Sequence, residues 1–79
     1  MLDDEKLMTV LPVLRLEHMR AKAKHPRFPA DPAAALAIVT EEMLELARAV
    51  NDGEPRSRVR EEAAHVAVTA IRLLEEVQE

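Results

Sequence analysis

Two stretches of this chain repeat apolar residues at alternating spacings of three and four, and a short break separates them. Leu36, Val39, Met43, Leu46 and Val50 follow a 3-4-3-4 pattern, and Val59, Ala63, Val66, Ala70, Leu73 and Val77 follow 4-3-4-3-4. Side chains so spaced line one face of an α-helix, so each stretch predicts a helix with an apolar seam. Asp31-Pro32 is a strong helix start, with Asp as N-cap and Pro at the first helical position. It predicts a helix from about Pro32 to Val50. Asn51-Asp52-Gly53 stops it, with Gly53 as the left-handed turn residue. Pro55 or Ser57 opens the next helix, which runs almost to the C-terminus. Two seams joined by so short a turn predict an antiparallel helical hairpin. No segment reads as a strand, so the fold class is all-α.

Upstream, about Asp3 to Lys24 also reads as a helix, with Leu7, Leu11 and Leu14 on one face and Leu2, Val10 and Met19 nearby. Pro12 either starts the main helix there or kinks a longer one. His25-Pro26-Arg27-Phe28-Pro29-Ala30-Asp31-Pro32 holds three prolines and reads as a loop. The chain is one domain, 1–79, with 48% apolar residues, a single aromatic (Phe28) and no cysteine. Its core must come from Leu, Val, Ile, Ala and Met. A chain of this length buries only roughly 60% of its unfolded surface and is marginal alone. Oligomerisation, to a homodimer or homotetramer, is the remaining way to add buried area.

The net charge of −4 argues against nucleic-acid binding, which needs a basic footprint. No apolar run approaches the ~20 residues of a membrane span, and the acidic start Met1-Leu2-Asp3-Asp4-Glu5 is unlike a secretory signal. A soluble cytoplasmic protein is the expectation.

The acids beside the seams need a reason. Residues three apart on a helix share a face. Glu42 and Glu45 form one such pair on the second helix, and Glu62 and His65 the matching pair on the third. If the seams pack, both pairs border the interface. Oxygen donors from two facing helices suit Mg²⁺ or Mn²⁺, which also hold water and substrate phosphates. The competing reading is a solvated coiled-coil flank, with Arg48 making a weak surface pair with either Glu45 or Glu41, worth about 0.2–0.5 kcal/mol. Arg15, Arg20, Lys22, Lys24, His25 and Arg27 form a basic tail on an otherwise acidic chain. They either suit the C-terminal end of the first helix's dipole or meet a phosphate.

Glu41-Glu42-Met43-Leu44-Glu45-Leu46-Ala47, a short turn, then Glu61-Glu62-Ala63-Ala64-His65-Val66 resembles the MazG-like all-α nucleoside triphosphate pyrophosphohydrolases. Their pattern is EExxE on one helix and ExxD on the next. The His25–Pro29 loop and Ala70-Ile71-Arg72-Leu73-Leu74 are also similar to members of that group, so the likeness spans about Lys22 to Glu75. The resemblance implies a metal-dependent enzyme of the house-cleaning type, using Mg²⁺ or Mn²⁺. It would cleave a nucleoside triphosphate between the α- and β-phosphates. On that resemblance Glu42, Glu45 and Glu62 are metal ligands, and Glu41 is a further ligand or orients the attacking water. Lys22, Lys24 and Arg27 would offset phosphate charge, and Phe28 either stacks on a base or plugs the core. His65 stands where the pattern has Asp. Imidazole suits Mn²⁺ or Zn²⁺ better than Mg²⁺, and the site loses a negative charge. Two alternatives stand beside the enzyme: a non-catalytic helical interaction module, and a nucleotide-binding regulator whose active site has lapsed.

Overall fold

The computed structural model describes residues 4–79, which form three helices and, among those residues, no strand. Helix α1 spans Asp4–Lys24, α2 spans Pro32–Asn51 and α3 spans Arg56–Glu76. Leu2 and Asp3, read with the first helix, lie outside the described residues. No helix among those described is long and apolar enough to cross a membrane.

Local chemistry sets the boundaries. The Asp31 carboxylate accepts the Ala34 N–H at 3.0 Å, and Pro32 occupies the first turn, where its missing N–H costs nothing. Replacing Asp31 with Ala should cost about 1 kcal/mol. That corresponds to a fall of roughly 4–8 °C in melting temperature for a domain of this size; an unchanged thermal midpoint would refute the cap's role. At the other end, the Asp52 N–H donates to the Arg48 carbonyl at 2.8 Å, and the Glu54 N–H to the Ala49 carbonyl at 3.0 Å. Gly53 makes the turn at φ 66°, a left-handed conformation that a side chain would strain. Helix α3 opens on Pro55, without a side-chain cap.

Pro12 lies inside α1 and does not start it. Its ring removes one N–H from the hydrogen-bond ladder, which the helix continues past. The His25 N–H still reaches the Ala21 carbonyl at 2.8 Å, and Pro26 and Pro29 follow.

Helix α3 is the common support. Both α1 and α2 pack on it, while no Cα of α1 comes within 8 Å of one in α2. The packed faces match the predicted seams only in part. On α2, Leu36, Met43 and Val50 are each more than half exposed, whereas Ala35 and Ala49 are buried and Ile38, Glu42 and Leu46 half-buried. On α3, Ala63 and Ala70 are exposed, and Glu62, Ala64, Val68 and Arg72 are buried. The inward faces therefore combine part of each seam, with Val39 and Leu46 on α2 and Val59, Val66, Leu73 and Val77 on α3 half-buried, and the neighbouring positions that carry Glu42 and Glu62.

The enclosed apolar core is correspondingly small, namely Ala35, Ala49, Ala64 and Val68. Helix α1 buries none of its residues, and Leu7, Leu11 and Leu16 are among its large exposed apolar side chains. Polar contacts fasten its C-terminal half to α3. His18 Nε2 and Glu75 Oε1 are 2.9 Å apart, and Lys22 Nζ lies 3.5 Å from Glu75 Oε2. The His18 hydrogen bond, aided by the nearby charges of His18 and Lys22, holds the Glu75 carboxyl below its ordinary pKa. The buried Arg72 donates to the His25 carbonyl at 2.8 Å and, more weakly, to that of Ala21 at 3.4 Å. Its guanidinium lies 5.1 Å from the centre of the Phe28 ring.

Candidate metal centre and cleft

Because α1 and α2 lean on α3 without meeting, a cleft of about 690 Å³ lies among the three helices and the loop after α1. Glu41 and Glu42 come to it from α2, His65 and Thr69 from α3, and Lys24 from α1. Arg27 and Phe28 reach it from the loop.

Three potential ligands converge at this place. Glu42, Glu62 and His65 each offer one atom, all within 4.8 Å of one another. His65 Nδ1 lies 3.9 Å from Glu42 Oε2 and 3.8 Å from Glu62 Oε1. Donors bound to one ion at about 2.0–2.2 Å lie within about 4.4 Å of each other, so small side-chain rotations would suffice. The carboxylates have a further need for a cation. Glu62 is 2% exposed, and its Oε2 is buried without a hydrogen-bond partner. Glu42 Oε2 is in the same condition. A buried acceptor left unpaired costs about 1–3 kcal/mol. The residues therefore fit a divalent cation, and the mixed oxygen and nitrogen donor set fits Mn²⁺ or Zn²⁺ at least as well as Mg²⁺.

The charges act in the same sense. Burial pushes the Glu42 carboxyl pKa up, the Glu45 charge adds to this, and Glu62 and Glu41 contribute further. His65 acts in the opposite direction. One protein cation already serves the cluster: Arg58 Nη2 lies 2.9 Å from Glu62 Oε1, and its Nη1 lies 3.1 Å from Glu61 Oε1. That pair uses Oε1 of Glu62 and leaves Oε2 unpartnered.

The predicted site residues divide into two groups. Glu41, Glu42, His65, Lys24, Arg27 and Phe28 line one cleft, and the buried Glu62 stands beside His65. Glu45 is exposed and outside the cluster, although its charge reaches Glu42. Lys22 pairs with Glu75 and does not line the cleft. Phe28 is half-buried against Arg72, as a core plug would be.

Sequence reasoning passed over Glu17, Arg58 and Arg72. Arg72 had a visible signal, because Glu62, His65, Thr69 and Arg72 continue one stripe at 3-4-3 spacing. Arg58 sits four residues before Glu62, a spacing that pairs opposite charges on a helix. Glu17 had none, since only the docking of α1 on α3 brings it near. Comparison of the chain with family models, with curated proteins and with solved structures gives no match.

Proposed function

We propose that this chain is a divalent-metal-dependent nucleoside triphosphate pyrophosphohydrolase of the MazG-like kind. The observation that supports it best is the convergence of Glu42, Glu62 and His65, with two buried carboxylate oxygens unpartnered, on a cleft also lined by Lys24 and Arg27. In this reading α2 and α3 form an antiparallel hairpin. A second copy of the chain covers the exposed apolar faces of α1 and α2, giving a dimer or tetramer.

Glu42, Glu62 and His65 would hold the cation, which when bound polarises phosphoryl oxygens and acidifies a water. Glu45 is close enough to add negative charge but would need to swing inward to ligate. Lys24 and Arg27 would offset the charge of the triphosphate. Glu41 would accept a proton from the water that attacks the α-phosphorus. The bond from that phosphorus to the bridging oxygen then breaks, releasing nucleoside monophosphate and pyrophosphate.

The second reading, a non-catalytic helical module, draws on one observation: Arg58 already pairs with Glu62. Pyrophosphate release from a panel of ribo- and deoxyribonucleoside triphosphates, with Mg²⁺ and with Mn²⁺, decides between them. The enzyme reading expects release that Glu41→Gln lowers by about 10²–10⁴-fold, as loss of a general base does. Silence across the panel with both metals, or turnover unchanged in Glu41→Gln and Glu42→Gln alike, would sink it.

A further inference from the structure

His65 presents its two ring nitrogens to different helices. Nδ1 faces the carboxylates of Glu42 and Glu62, at 3.9 and 3.8 Å. Nε2 faces Glu17 of α1, whose Oε2 lies 3.6 Å away. Glu17 has one further partner: Arg20 Nη1 lies 3.0 Å from its other oxygen, Oε1. Only its Oε2 is then directed at the imidazole, and Glu17 is not among the three residues whose ligand atoms converge.

A neutral imidazole carries one proton, and the nitrogen that carries it cannot bind a metal. Two carboxylates face Nδ1 as well, but a cation seated among them would take up their charge, and the carboxylate left at Nε2 then keeps the proton there. Metal-binding histidines commonly have such an outer carboxylate, which fixes the ring's orientation and raises its basicity as a ligand.

We infer that Glu17 is the positioning residue for His65: it holds the proton on Nε2 and turns Nδ1, unprotonated, toward Glu42 and Glu62 to receive a cation that accepts nitrogen, such as Zn²⁺ or Mn²⁺. This rests on the metal reading of the cluster and deepens it. It gives α1 a part in the site that neither acidic pair supplies. The 3.6 Å separation exceeds a hydrogen bond by a few tenths of an ångström, a gap that a small rotation of Glu17 closes. The 2% exposure of Glu62 and its unpartnered Oε2, on a carboxylate whose Oε1 lies 3.8 Å from Nδ1, are the independent sign that this side of the ring calls for a cation.

The test uses the whole chain, with Zn²⁺ as the probe. In the Zn²⁺-loaded protein, long-range ¹H–¹⁵N correlation reads which His65 nitrogen keeps the proton. The expected result is metal on Nδ1 and a proton on Nε2 in the wild type, and a mixture of Nδ1-bound and Nε2-bound forms in Glu17→Ala. In Zn²⁺ titration calorimetry, Glu17→Ala should bind about 10–100-fold more weakly than wild type. Glu17→Gln keeps an acceptor for the Nε2 proton and should lose less. Glu75→Gln loosens the same pair of helices away from His65 and, with Arg72 still holding α1 in place, should lose far less than Glu17→Ala.

A proton on Nδ1 in the wild type would overturn the inference, as would equal affinity in Glu17→Ala. An equal loss in Glu75→Gln would also overturn it, by assigning the effect to helix docking. In those three cases a wild type that still binds Zn²⁺ leaves the metal reading standing. A wild type that binds no Zn²⁺ overturns both.

Discussion

Mn²⁺ or Zn²⁺ added to the metal-free protein at a hundred times its dissociation constant should raise the melting temperature by roughly 10–20 °C. A ligand that binds only the folded state contributes about 2.7 kcal/mol at that concentration. In a domain this small each kcal/mol is worth about 4–8 °C. Mg²⁺ should give a smaller shift, because one donor is an imidazole nitrogen. The incoming ion would share or displace Arg58 at Glu62 Oε1 while meeting the unpartnered Oε2. Glu62→Gln should abolish the response. So should Glu42→Gln, but with the opposite effect on the metal-free protein. Burial and the neighbouring glutamates already disfavour the charge on Glu42. Removing that charge should therefore leave metal-free Glu42→Gln at least as stable as wild type at neutral pH.

The sign of the pH dependence follows from the same group. The folded pKa of Glu42 is raised above its ordinary value of 4.5. Its contribution to stability is therefore fully present below that value and is lost as pH rises through the raised one. Metal binding runs the other way. Protons compete for Glu42 from a higher pH than for an ordinary glutamate, so the metal-induced shift should shrink early on acidification. A melting temperature indifferent to Mg²⁺, Mn²⁺ and Zn²⁺ would remove the metal site and the enzyme built on it.

The second large effect is expected at Arg72. Its side chain is 4% exposed and has no carboxylate partner among the described residues. Its partners are the carbonyls of Ala21 and His25 and the Phe28 ring. Arg72→Ala removes all three contacts and leaves a void. A lost hydrogen bond to a charged group is worth about 1.5–3 kcal/mol and a cation–π contact about 0.5–2. A loss of about 2–4 kcal/mol is expected, against a total stability on the order of 4–12 kcal/mol for a chain of this length. The urea midpoint should fall accordingly. Arg72→Met separates the causes. It keeps much of the volume and removes a buried charge whose desolvation costs several kcal/mol. Global stability should recover in large part, while amide exchange at His25 and Phe28 should still quicken, because the loop has lost its anchor. An unaltered urea midpoint in Arg72→Ala would show that the guanidinium contributes nothing net.

The helices were legible because their ends are set by neighbours in sequence. Asp31 caps with its own carboxylate, Pro32 suits a first turn, and Gly53 takes a left-handed turn that other residues rarely adopt. The facing stripes were legible only in part. On α2 the more apolar stripe, Leu36–Met43–Val50, is outside, and the one holding Ala35, Glu42 and Ala49 is inside. Periodicity locates apolar stripes around a helix but does not say which of two adjacent stripes meets the partner. The site shows the same limit. Glu42, Glu62 and His65 could be found because each acidic pair is local. That Glu45, three residues on from Glu42, faces away from the cluster depends on the rotation of α2, which the sequence pattern placed one position off. Arg72 closes on residues far behind it in the chain, and Glu17 on one far ahead.

Helix α1 meets only α3, buries no residue and is tied down by polar contacts near its C-terminal end. In the language of fluctuations, it is the segment that opens at least expense, before the α2–α3 pair yields. While it is detached, Glu42, Glu62 and His65 stay together, but Glu17, Arg20 and Lys24 are gone from the cleft. Opening of α1 would thus turn a polar site with three walls into one with two. The contacts that resist it are those of His18, Lys22, Glu75 and Arg72, none of which is among the converging ligands.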